Sequence, residues 1–157
     1  MQYPGYNTGA VQLKEGSWFL FRVHNLVQLQ GDLWFYVLQD INGQKHFIPA
    51  EYYQKYGFKI GDDISCRVDK VNCTGRIFLE PKHPCYNESE NYLFDIMEFS
   101  NPGNEKSLFV RDILGNTVKI PLGNRKIFDF SFENKVLCKV NSIRKGIPNL
   151  EISNTCP

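Results

Sequence analysis

An internal repeat constrains the fold of this chain more than any other feature of its sequence. Three pairs of segments recur with a spacing of 72 residues: Asp40-Ile41-Asn42-Gly43 and Asp112-Ile113-Leu114-Gly115, Ile48-Pro49 and Ile120-Pro121, and Cys66-Arg67-Val68 and Cys138-Lys139-Val140. Two further pairs recur with spacings of 73 and 71 residues: Phe19–Val23 and Tyr92–Ile96, and Leu79-Glu80 and Leu150-Glu151. Hairpin loops tolerate such one-residue slips. The chain therefore consists of two copies of one unit of about 70 residues.

The repeat sets the predicted domain boundaries. We expect a flexible arm at residues 1–14, a first domain at residues 15–82 and a second domain at residues 89–154. The joint between the two domains contains Pro84 and follows Pro81, so it is predicted to be semi-rigid.

Each unit has the pattern of a small β-barrel. Five segments of the first unit have the composition of strands: Trp18–His24, Leu33–Gln39, Gln44–Ile48, Ile64–Val71 and Arg76–Glu80. Residues 50–56 have a helix-like composition, and Gly57 is a suitable C-cap. Five strands with a short helix or helical turn between strands 3 and 4 form the OB arrangement. We therefore predict an all-β fold of two tandem five-stranded OB-type barrels.

The two copies also indicate which strand residues face the core, because a core position must stay apolar in both. Tyr36 and Leu38 correspond to Leu108 and Val110, so these residues are predicted to point inward and their neighbours outward. Rings and basic side chains then share the outer face of the first unit: Phe35, Lys45, Phe47, Arg67, Arg76 and Phe78. The same face of the second unit carries fewer rings and similar charge: Phe109, Arg111, Lys119 and Lys139.

This combination of exposed rings and basic side chains is typical of surfaces that stack bases and neutralise phosphates. The chain is rich in rings, with 12 Phe and 8 Tyr. Two other interpretations of the rings stay open. They could belong to the barrel core, or they could be exposed and pack against the other unit.

Four stretches of the first unit carry a resemblance to a known family: Phe35-Tyr36-Val37, Phe58-Lys59-Ile60-Gly61-Asp62-Asp63-Ile64, Cys66-Arg67-Val68-Asp69-Lys70-Val71 and Gly75-Arg76-Ile77-Phe78-Leu79. In order and spacing they look like the Phe-Val strand, the Gly-Asp entry to the fourth strand and the closing strand of the S1 domain. The S1 domain is a member of the OB superfamily that binds single-stranded RNA. The resemblance covers most of residues 15–81.

The resemblance implies roles for three residues of the first unit. Phe35 would be the stacking aromatic of the second strand, Asn72 a polar residue before the last hairpin, and Arg76 a contact to the RNA backbone. One position departs from the family, since Pro49 stands where a histidine is common on the third strand. The second unit is more distant from the family and lacks the Gly-Asp signal.

Charge and cysteine content limit the class of protein. The net charge of +1 rules out bulk positive charge as the source of nucleic-acid affinity, so a local patch and stacking must supply it. Five cysteines are an odd number, and residues 1–16 have no signal-peptide pattern. No run of residues is apolar enough for a membrane span. We expect a reduced, cytoplasmic protein that does not bind membranes.

No catalytic constellation is evident, so the sequence predicts no enzymatic centre and no cofactor. The three histidines are not part of a nucleophile, phosphate-loop or dinucleotide motif. Cys73, His83 and Cys85 match no common zinc spacing, so no metal site is predicted.

The leading hypothesis is that the first unit binds single-stranded RNA or DNA, with RNA favoured, and that the second unit extends the site. One alternative is a protein-interaction module, in which tandem OB units act as an adaptor with a protein partner. Another is that the chain is part of a larger nuclease or helicase and binds the substrate of that enzyme.

Overall fold

The protein is described by a computed structural model at residues 9–101, 103, 105–124, 131–132 and 134–153, with the backbone alone at 131–132. The chain divides into two compact units on either side of the Lys82–His83 bond. Each unit is built on an antiparallel sheet with five strands in its main path, and one of the two is nearly closed into a barrel. The predictions of an all-β fold and of two five-stranded sheets are therefore confirmed.

The first unit contains five strands: β1 (Trp18–Gln28), β2 (Trp34–Gln39), β3 (Lys45–Pro49), β4 (Asp63–Val71) and β5 (Ile77–Pro81). Their order in the sheet is β3-β2-β1-β4-β5, and all neighbours are antiparallel. Register shifts between Val23 and Asn25, and between Val68 and Lys70, interrupt the alternation of faces. Such bulges bend a sheet, and here the edge strands β3 and β5 approach each other, with Cα atoms within 8 Å.

The second unit repeats this topology. Its strands are β6 (Asn91–Ser100), β7 (Ser107–Arg111), β8 (Thr117–Pro121), β9 (Ser131–Phe132), β10 (Lys135–Arg144) and β11 (Ile147–Ile152). The main path is β11-β10-β6-β7-β8, and the short β9 pairs with β10. The bulges recur at equivalent places, between Ile96 and Glu98 and between Val140 and Ser142. The repeat in sequence is therefore a repeat in structure.

Two 3-10 turns lie between β3 and β4, at Ala50–Tyr52 and Gln54–Tyr56. The second turn ends at Gly57, whose φ of 76° is a conformation that glycine adopts without strain. In the second unit the corresponding segment includes residues 125–130, which lie outside the described part of the chain. A helical turn at this place in both units therefore stays a prediction. A further 3-10 turn, at Gln30–Asp32, joins β1 to β2 and was not predicted.

Each unit has its own hydrophobic core, and the inward positions correspond. Tyr36 and Leu38 are buried in the first core, and Leu108 and Val110 are buried in the second. Cys66 and Cys138 are both fully buried at the predicted equivalent position. The inward facing of these residues is confirmed.

The packed part of each unit begins upstream of its first strand. Leu13 is buried in the first core and Tyr86 occupies the equivalent place in the second. In the first unit the Val71 N–H donates to Glu15 Oε1 at 2.8 Å, and in the second the Ile143 N–H donates to Glu88 Oε1 at 3.0 Å. Leu13, which lies in the segment predicted as an arm, thus packs into the first core.

Candidate nucleic-acid interface

The β2–β3 hairpin brings three of the predicted site residues to one outer face. Cross-strand partners share a face, and Val37 pairs with Phe47 while Gln39 pairs with Lys45. Phe35 lies two residues before Val37 on the same face. Phe47 is 45 % exposed and Phe35 is half-buried, and neither belongs to the core. The rings therefore lie outside the core of the first unit.

Val37 shows how apolar this outer face is. It is only 5 % exposed, yet it is not part of the core cluster. Its partners across the two neighbouring strands are Asn25 on β1 and Phe47 on β3. Its burial on the outside of the sheet fits a continuous apolar surface that includes Phe47.

The β4–β5 hairpin carries a second aromatic and basic pair. The Arg76 guanidinium lies over the Phe78 ring, 4.9 Å from its centroid, and Phe78 is 41 % exposed. Lys70 on β4 is the cross-strand partner of Phe78. Because β3 and β5 approach each other, this hairpin borders the face that carries Phe47.

The second unit has a depression at the equivalent place. It has a volume of about 430 Å³, and its lining includes Lys119, Ser142, Arg144 and Asn149. By the repeat, Lys119 and Asn149 correspond to Phe47 and Phe78. The second unit thus has basic and polar side chains where the first has rings.

Asn72 shapes the β4–β5 turn. Its Oδ1 accepts hydrogen bonds from the Thr74 N–H (3.1 Å), the Thr74 hydroxyl (2.7 Å) and the Arg76 N–H (2.8 Å). The Oδ1 of Asp40 likewise accepts from two N–H groups in the β2–β3 turn, and the Oδ1 of Asp112 does so in the β7–β8 turn. Asn72 therefore positions Arg76, and its carbonyl oxygen is already used for this.

Arg67 lies on a different part of the sheet from the β2–β3 rings. Its cross-strand partner on β1 is Trp18, and its guanidinium is 5.7 Å from the centroid of the Trp18 ring. Its Nε donates to Asp69 Oδ1 at 2.8 Å, and its side chain is only 15 % exposed. The hydrogen bond to Asp69 therefore fixes the orientation of the Arg67 side chain and places its charge next to a carboxylate.

Of the four predicted residues of the second unit, three share the outer face of β7–β8 and one lies elsewhere on the sheet. Phe109 and Lys119 are cross-strand partners and lie together. Lys139 pairs with Glu151 on β11 and Asn91 on β6, away from Phe109. Arg111 pairs with Asp95, whose carboxylate accepts a hydrogen bond from Lys135 at 2.6 Å. That bond, and to a lesser extent the charge of Arg111, lowers the pKa of Asp95.

The buried titratable groups of both units form hydrogen bonds within the protein and have a structural role. The Tyr53 hydroxyl donates to Glu80 at 2.5 Å, and burial beside this carboxylate raises the pKa of Tyr53. His83 Nδ1 accepts from the Cys85 and Tyr86 N–H groups, both at 3.1 Å, and burial lowers the pKa of His83. Within the described ranges no three His, Cys, Asp or Glu side chains are placed to hold a metal ion. None of the described helical turns is long and apolar enough to cross a membrane.

No protein-family model matches the sequence, and a search of curated proteins finds no significant match. The geometry of the two units is therefore the basis for inferring the function.

Proposed function

We propose that the chain is a non-enzymatic module that binds single-stranded nucleic acid, with RNA favoured over DNA. The interface is the outer face of β2–β3 together with the β4–β5 hairpin. We further propose that both units are OB-type barrels and that the first resembles S1 domains in its mode of binding. One observation carries the proposal: Phe35, Phe47 and Phe78 lie outside a core that is complete without them, next to Lys45 and Arg76.

The balance of forces follows from the composition of this face. With a net charge of +1, phosphate neutralisation is limited to a few local contacts. Stacking of a base on an aromatic ring contributes about 1–3 kcal/mol and is tolerant of sequence. We therefore assign most of the affinity to the three rings. Within the second unit, Phe109 and Lys119 form the corresponding contact surface.

A protein-interaction module is the second candidate, because exposed apolar side chains recur away from this face. Leu20 and Ile41 in the first unit correspond to Leu93 and Ile113 in the second, and all four are exposed. Each pair lines a depression, of about 510 Å³ in the first unit and about 320 Å³ in the second. Side chains that stay apolar and exposed in both copies are suited to a protein partner.

The two candidates differ in a direct binding measurement. Fluorescence anisotropy of labelled single-stranded RNA, single-stranded DNA and duplex is measured at about 50 mM salt, where the electrostatic contribution is large. We expect Phe47→Ala to weaken single-strand binding about 5- to 150-fold, since it removes one stacking ring. Ile113→Ala is the matched control, because it removes an exposed apolar side chain of the second unit that lies outside the proposed face. A parent protein that binds no single strand under these conditions would overturn the proposal in favour of the adaptor.

A further inference from the structure

Trp18 is an exposed ring that the outward-face pattern of the sequence did not single out. It lies at the start of β1 and is 48 % exposed, and its neighbours Phe19 and Phe21 pack into the first core. Its cross-strand partner is Arg67 on β4. The Trp18 ring is exposed and is not part of the core, so core packing does not explain why a large ring is present at this position.

Arg67 holds the ring of Trp18 on one side. The guanidinium lies 5.7 Å from the ring centroid, and its own orientation is fixed by the 2.8 Å hydrogen bond to Asp69. A ring that is already held loses less conformational freedom when a ligand stacks on it. The pair is therefore a preorganised stacking surface.

The space beside Trp18 is suited to a nucleotide. Trp18, Leu20 and Ile41 line an open depression of about 510 Å³, and Arg22 lies at the same depression. Arg22 is paired with Asp63 at 3.3 Å, but both side chains are largely exposed. Such exposed pairs are weak, so the guanidinium, with further N–H donors, can also meet a phosphate. Ring, apolar wall and cation together match a base with its adjoining phosphate.

We propose that Trp18 is a second base-stacking position of the nucleic-acid site, with Arg67 as its positioning residue and Arg22 as the phosphate contact. This inference rests on the proposed function and adds a nucleotide position on β1–β4 to the one on β2–β3 and β5. It is specific to the first unit, because the residues equivalent to Trp18 and Arg67 are Asn91 and Lys139. The ligand is the same single strand that stacks on Phe47.

Tryptophan fluorescence tests the proposal directly, because Trp18 and Trp34 are the two tryptophans of the chain. In the Trp34→Phe protein, Trp18 is the sole indole. We expect a mixed-sequence RNA of roughly 12 nucleotides, within the range that an OB unit covers, to quench its emission. The quenching should saturate at the concentration that anisotropy gives for binding.

Variants provide the second arm. Trp18→Ala should weaken binding about 5- to 150-fold, and Trp18→Phe, which keeps a ring, should retain part of the affinity. Trp34→Ala is the matched control, since Trp34 is equally exposed, and it should bind as the parent does. Arg67→Met should alter the Trp18 emission of the free protein, a change that Arg67→Lys should reduce.

The outcomes separate this inference from the proposed function. Binding that leaves the Trp18 emission unchanged, or a Trp18→Ala protein with parental affinity, would overturn the Trp18 position. If Phe47→Ala still weakened binding in that case, the proposed function would stand. A parent protein that bound no RNA would overturn both. The fluorescence arm keeps Trp18 in place, so it does not depend on the folding of a Trp18 variant.

Discussion

At the residue scale, the four described cysteines divide into two chemical classes. Cys66 and Cys138 are fully buried, while Cys73 and Cys85 are exposed, and all four are free thiols. Burial raises the pKa of the Cys138 thiol to about 12 and raises that of Cys66 as well. Since the thiolate is the reactive form, the buried pair should be inert for two reasons. A reagent cannot reach these thiols in the folded protein, and the raised pKa keeps them protonated.

We therefore predict a two-step thiol titration. In a Cys156→Ser background, Cys73 and Cys85 should react rapidly with a thiol reagent in the native protein. Cys66 and Cys138 should react only after denaturant is added. Measuring the reaction with and without denaturant checks this, and mass spectrometry identifies the labelled sites. Rapid native labelling of Cys66 would mean that the facing of β4 is wrong.

At the element scale, the β4–β5 hairpin couples a turn to a proposed contact. Asn72 accepts the Arg76 N–H at 2.8 Å, and the Arg76 guanidinium lies over Phe78. We predict that Arg76→Gln lowers affinity equally for all single-stranded sequences. It should also reduce the slope of log affinity against log salt by about 0.7, the counterion release expected for one phosphate contact to a single strand.

A turn variant is the control for this prediction. Asn72→Asp keeps an oxygen acceptor for the turn and should retain more affinity than Asn72→Ala, which removes it. An Arg76→Gln protein with the parental salt slope would exclude Arg76 as a phosphate contact. Anisotropy titrations at several salt concentrations provide all of these values.

Most elements could be predicted because the repeat compares each strand with a second copy. The inward positions Tyr36, Leu38 and Cys66 follow from it, and they are buried. The extent of β1 could not be predicted, since a register shift near His24 breaks the alternation on which strand patterns depend. Leu13 was missed because the apolar residues near it, Ala10 and Val11, are too few to set a period that marks a strand or a helix.

The candidate site could be predicted only in part, for a related reason. Alternation assigns Phe35 and Phe47 to one face, but it does not say which strands are neighbours. The pairing of β1 with β4 brings Arg67 to Trp18 and Asp69 rather than to the β2–β3 rings. Likewise, the use of the Asn72 carbonyl within its own turn depends on local backbone geometry.

At the scale of the whole molecule, the chain has two separate cores, one on each side of the Lys82–His83 bond. Both tryptophans lie in the first unit. Tryptophan emission therefore reports unfolding of the first unit, whereas far-ultraviolet circular dichroism reports both. Any perturbation confined to the second core should therefore change the circular dichroism without an equal change in the tryptophan emission.

His83 supplies such a perturbation. It is buried in the second unit and stacked on Tyr86 at 4.7 Å, and its Nδ1 accepts two N–H groups. A proton on Nδ1 would set donor against donor, and burial lowers the pKa of His83 against a smaller opposing effect of the Asp112 carboxylate. The folded unit therefore favours the neutral ring.

The sign of the pH dependence follows from this shift. The unfolded chain takes up the proton near pH 6.5 and the folded chain only at lower pH. Below about pH 6.5 the unfolded state thus binds more protons than the folded state, and the unfolded fraction of the protein grows as the pH falls. The stabilisation is present above that pH and is lost by up to about 1.4 kcal/mol for each pH unit below it, until the folded pKa is reached.

We predict that urea unfolding, followed by circular dichroism, shows a transition of the second unit. The urea concentration at its midpoint should decrease when the pH is lowered from 7 to 5. The tryptophan-detected transition should move less. In His83→Gln, which does not titrate in this range, the pH dependence of the second transition should shrink. His24→Gln, a change at an exposed histidine of the first unit, is the matched control and should leave it intact. An unchanged pH profile in His83→Gln would show that other groups determine the acid sensitivity of the second unit.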